Sequence, residues 1–92
     1  MPTSNTQQSF ELEIINPKKI FTYLIYMIEV ETPSGSFTVA GDHAHLISSL
    51  KKKGVAIFQT NVGITHTIHI ENGGLFKVVN NKAQLILHQL QI

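Results

Sequence analysis

The chain has 92 residues, a net charge of +1 and no cysteine, with 42% apolar and only 14% charged residues. This length supports one domain that buries roughly 60 to 65% of its unfolded surface, and the missing cysteines exclude disulfides and thiolate metal sites. A near-neutral chain lacks the long-range field that draws in phosphate backbones, which argues against a nucleic-acid partner, and so sparsely charged a surface is expected to sit against protein partners.

Residues 1–9 form a polar stretch without a basic start or an apolar run, so they read as a disordered tail and not as a signal peptide. Cytoplasmic residence is the expectation. The domain proper is expected over residues 10–89. Phe10, Leu12 and Ile14 alternate with Glu11 and Glu13, the period of a half-buried strand, and Asn16-Pro17 ends it. The next strand region, residues 20–32, contains the most apolar run of the chain. Its eleven residues 20–30 fall short of the ~20 that a membrane-spanning helix needs, so no membrane insertion is expected.

Pro33-Ser34-Gly35 supplies a turn, Phe37 and Val39 a short strand, and residues 40–42 a corner. Residues 43–50 have Leu46, Ile47 and Leu50 at helix-like spacing, which predicts a helical turn or an irregular segment. Val55 to Thr60 and Ile64 to Ile70 flank Asn61-Val62-Gly63 as a hairpin, with Ile64, Ile68 and Ile70 on one face. Residues 75–79 and 82–89 flank Asn80-Asn81 as another. Many short strands without a long amphipathic helix predict an all-β fold, an antiparallel two-sheet sandwich or flattened barrel of about eight to ten strands.

Chemistry is poorly supported. Among five histidines, His43 and His45 share a strand face and resemble the opening of a cupin metal motif, but Ser48, Ser49 and Leu50 stand where its glutamate belongs. His66 and His69 point to opposite faces; a packed or interfacial His43 with the other histidines in solvent is the favoured reading. Asp42 and His43 point apart as strand neighbours, and no serine stands in a nucleophile elbow. Gly73-Gly74 runs into Leu75-Phe76-Lys77-Val78, with no P-loop lysine and serine, so a bulge or close backbone approach fits it better than a phosphate cradle. Lys51-Lys52-Lys53 reads as a solvated loop or as a contact for an acidic partner. No catalytic, metal or cofactor residue is assigned.

Several segments in order resemble the epsilon subunit of F-type ATP synthases over about residues 10–88: Phe10-Glu11-Leu12-Glu13-Ile14-Ile15-Asn16-Pro17, then Gly35-Ser36-Phe37-Thr38-Val39 with His43-Ala44 and Leu46, then Asn72-Gly73-Gly74-Leu75-Phe76, then Ala83-Gln84-Leu85-Ile86-Leu87. The resemblance implies a β-sandwich in the central stalk of a proton- or sodium-linked rotary ATPase. It implies gamma and the membrane c-ring as partners, no chemistry and no cofactor of its own, a monomer when isolated, and a place on the inner face of a bacterial plasma membrane. By motif, the turn of Ser34, Gly35 and Ser36 and the corner of His43, Ala44 and His45 would face the c-ring and the foot of gamma. Ser36 replaces a commonly acidic residue, and Gly41-Asp42-His43-Ala44-His45-Leu46 lacks both prolines of the family's corner. Only residues 88–92 follow the last strand, so the family's inhibitory helical hairpin is not expected. A free-standing β-sandwich binding module and a cupin-like metal enzyme are the alternatives.

In the apolar second strand the family places Leu24, Tyr26, Ile28 and Val30 toward the core. The other parity would then leave Ile25 and Met27 as an apolar patch for a partner to cover, unless a bulge turns them inward.

Overall fold

The computed structural model describes residues 8–41 and 45–88. Eight strands run in chain order: β1 Phe10–Ile15, β2 Ile20–Thr32, β3 Gly35–Ala40, β4 Leu46–Leu50, β5 Gly54–Thr60, β6 Thr65–Ile70, β7 Gly74–Val79 and β8 Lys82–Leu87. The expected all-β fold is present, and its strands are hydrogen-bonded into one open sheet of order β4-β7-β8-β1-β2-β5-β6, with β3 paired to β2 outside that path. The pairing is not antiparallel throughout. β1 and β8 run parallel, from Glu11 opposite Lys82 to Ile15 opposite Ile86.

The 13-residue β2 belongs to both layers. Its first half pairs with β1 through residues 20–25, and its second half pairs with β3 and β5. The sheet folds over along this strand, so that Phe37 of β3 meets Phe76 of β7 with ring centroids 6.0 Å apart although their strands share no ladder. Between the layers lie Leu12, Ile14, Ile25, Ile28, Val30, Val39, Phe58, Phe76, Val78 and Leu85, all essentially without solvent contact. Each such side chain contributes about 1.5–3 kcal/mol through burial, so strand alternation and fold stability are the same pattern seen at two levels.

A register shift between Ile25 and Met27 sets the parity of β2. Ile25 lies opposite Thr60 and Met27 opposite Gln59, which leaves Tyr26 as the extra residue of a β-bulge. Before it, odd-numbered Phe21, Tyr23 and Ile25 turn inward; after it, Ile28, Val30 and Thr32 do. The apolar patch expected at Ile25 and Met27 is therefore corrected: Ile25 is fully buried, Met27 is half-buried, and Leu24, assigned to the core by the family resemblance, is 47% exposed.

Three smaller expectations also change. Residues 46–50 form strand β4, paired with β7 from Leu46 opposite Val78 to Leu50 opposite Gly74. Residues four apart share a face in a strand as well as in a helix, so Leu46 and Leu50 could not distinguish the two, and Ile47 points out at 68% exposure. Strand β6 starts at Thr65, leaving Ile64 exposed in the turn, and β8 ends at Leu87. Gly74 bears out the close approach read from the glycine pair: a Cβ there would collide with the carbonyl oxygen of Ile86.

Candidate interaction surfaces

Two surfaces emerge from the register. The first is the outer face of β4, β7, β8, β1 and the first half of β2. In one line across it, Leu75 of β7 lies opposite Ile86 of β8, Ile86 opposite Ile15 of β1, and Ile15 opposite Ile20 of β2. Register partners share a face, so these four side chains form an apolar row about 14 Å long, three strand spacings. Ile20 is 59% and Leu75 42% exposed, with Ile15 and Ile86 half-buried between them.

The same face carries Leu24, opposite Glu11, and Ile47, opposite Lys77. The remaining large exposed apolar side chains, Val62 and Ile64, stand in the β5–β6 turn. That turn is fixed beside Leu24, because the Asn61 N–H donates to the Leu24 carbonyl at 2.9 Å and the Ile64 N–H to the Thr60 hydroxyl at 3.1 Å. Among the described residues, every large apolar side chain exposed to solvent thus lies on this face or at its border. Its polar part is internally matched: Lys82 Nζ lies 3.6 Å from Glu11 and 3.7 Å from Glu13, and Gln84 Nε2 donates to Glu13 Oε1 at 2.8 Å.

The second surface is the end of the molecule where β2 finishes. Thr32 closes the β2–β3 turn, its hydroxyl donating to the Gly35 carbonyl at 2.7 Å and accepting the Ser34 N–H at 3.2 Å. Gly35 takes φ +128, a conformation that L side chains rarely adopt. Ser34, Gly35 and Ser36 are all exposed. Next to them stands the β4–β5 turn, because the Lys51 N–H donates to the Glu31 carbonyl at 3.0 Å and the Val55 N–H to the Glu31 carboxylate at 2.9 Å. His45 is exposed just before β4, at the end of that strand opposite Lys51. The structure therefore separates His45 from the turn of Ser34, Gly35 and Ser36 by the length of β4, about 15 Å. His43 and Ala44 lie outside the described residues.

No group of three metal-binding side chains is present among the described residues. His66, expected in solvent, instead stacks on Phe58 with ring centroids 4.9 Å apart and also meets Tyr23 at 5.4 Å. The sequence reading missed the apolar row because its four members come from four strands and meet only through the register; Ile15 and Ile86 at the ends of alternating runs were the available signal.

Comparison with known proteins places this fold. A family model described as the ATP synthase delta/epsilon chain, beta-sandwich domain, matches residues 9–90. No curated protein sequence matches the chain. Among solved structures, a chain of the Euglena gracilis mitochondrial ATP synthase, in an assembly of OSCP, F1 and c-ring, superposes with a TM-score of 0.79 at 16% identity, covering 94% of this chain and 54% of that one. A chain from the central stalk and c-ring of the Tetrahymena thermophila mitochondrial ATP synthase gives a TM-score of 0.69 at 16% identity, covering 91% and 66%. The chain thus spans from about half to two thirds of the length of these structural relatives. With the family model covering nearly the whole chain, the protein belongs to the ATP synthase delta/epsilon β-sandwich family.

Proposed function

We propose that the protein is a central-stalk subunit of an F-type rotary ATPase that binds gamma through the outer apolar face and meets the c-ring at one end. The family match over residues 9–90 carries this reading, and the gathering of Ile20, Leu24, Ile47 and Leu75 on one face supports it. Monomeric soluble proteins rarely leave a contiguous apolar patch uncovered without a partner for it. In this role the subunit transmits torque and performs no chemistry. Such a role needs rigidity, which the folded-over sheet and its short turns supply.

The turn of Ser34, Gly35 and Ser36 is the proposed c-ring contact, and the corner of His43, Ala44 and His45 the proposed contact with the foot of gamma. The subunit would then sit at the membrane surface as part of the complex without entering the bilayer, on the inner face of a bacterial plasma membrane; no helix among the described residues is long and apolar enough to cross one. Mixing the chain with its cognate gamma subunit at micromolar concentration and following size exclusion tests the reading. Co-elution is expected, and separate elution in the presence of both gamma and the c-ring would remove it.

A further inference from the structure

The lysine turn between β4 and β5 has a composition that turn geometry does not explain. Three of the chain's seven basic residues, Lys51, Lys52 and Lys53, stand in it side by side and exposed. Lys53 takes φ +58, a left-handed conformation that favours glycine or asparagine. The other left-handed non-glycine positions among the described residues, Asn80 and Asn81, do carry the favoured residue. The backbone is fastened at several points. Lys51 N–H donates to the Glu31 carbonyl, Lys53 N–H to the Glu71 carbonyl at 3.3 Å, and Gly54 N–H to the Lys51 carbonyl at 3.2 Å. The backbone of the turn is thus fixed while its three lysine side chains remain exposed, and the Glu31 carboxylate beside it accepts the Val55 N–H.

We infer that Lys51, Lys52 and Lys53 form a docking point for an acidic protein segment, one that presents two or three carboxylates within the span of a turn. Positions fixed by the backbone favour discrete ion pairs with a shaped partner. Three charges on one turn fall short of the roughly four to eight basic residues by which anionic bilayers are recognised, which selects protein over lipid. The turn adjoins Ser34, Gly35 and Ser36, so a partner seated there reaches both. The inference stands apart from the stalk reading, since it depends on the charge and geometry of the turn alone.

The test is a titration of the isotope-labelled chain with a hexaglutamate peptide, followed by amide shifts. At about 25 mM salt, where screening is weak, shifts are expected at residues 51–55 and in the adjoining β2–β3 turn. Affinity should fall roughly tenfold by about 200 mM salt, as expected for exposed ion pairs. The charge-neutral variant K51Q/K52Q/K53Q, checked by its dispersed spectrum, should bind at least about tenfold more weakly, while K18Q/K19Q should bind as the native chain does. Shifts spread evenly over all lysines, or unchanged in K51Q/K52Q/K53Q, would overturn the inference. So would tighter, equally lysine-dependent binding to vesicles of phosphatidylcholine with phosphatidylglycerol, which would make the occupant a bilayer. The titration uses neither gamma nor c-ring, so its failure is distinct from failure of the stalk complex.

Discussion

Ile15 and Ile86 lie opposite each other across the parallel β1–β8 pair, and through them Leu75 and Ile20 become the ends of one apolar row. This pairing joins the second half of the chain to its beginning. The fold and the proposed gamma-binding face thus depend on the same register, since a one-residue slip would turn the row into the core and the core outward.

The bulge at Tyr26 predicts a sharp difference between two adjacent apolar residues. Ile25→Ala should cost about 2–5 kcal/mol, since it empties a fully buried site, and Met27→Ala should cost clearly less. Urea unfolding of the two variants checks this. Equal losses would mean that Met27 shares the core and that the parity of β2 does not switch.

Gly74→Ala is expected to destabilise by about 3 kcal/mol or more, because the added Cβ meets the backbone carbonyl of Ile86, which cannot move without breaking the β7–β8 pair. Gly35 provides the contrast. A Cβ there touches nothing, so Gly35→Ala should cost only about 1–2 kcal/mol, from its positive φ. Thermal or urea denaturation of both separates collision from conformational strain.

Asn16 organises the turn that starts β2. Its side-chain oxygen accepts the N–H groups of Lys18 and Lys19 at 3.0 and 2.9 Å, and its backbone N–H donates to the Lys19 carbonyl at 3.0 Å. Asn16→Ala should therefore lower stability by about 1–2 kcal/mol, the cost of leaving turn donors unmatched. No change in the urea midpoint would show that water satisfies them equally well.

Much of this fold was legible in the sequence because alternation and turn residues act locally. Phe10, Leu12 and Ile14 marked β1, Asn80-Asn81 marked the β7–β8 turn, and Gly74 signalled a close approach. What alternation could not carry was the extra residue at Tyr26. A bulge leaves composition unchanged and reveals itself only in the partner strand, where Thr60 and Gln59 face Ile25 and Met27. The same limit hid the apolar row, whose members are far apart in the chain. Leu46 and Leu50 failed for another reason, their spacing being common to helix and strand.

The most direct measurement is size exclusion of the chain and its cognate gamma subunit, comparing the native protein with I20T/L75T. Both substitutions lie on exposed ends of the apolar row, and surface changes usually cost no more than about 0.5 kcal/mol each, so the variant should melt within a few degrees of the native chain. The native protein should co-elute with gamma at micromolar concentration and the variant should not. A folded I20T/L75T variant that co-elutes as well as the native chain would contradict the assignment of the outer face to gamma.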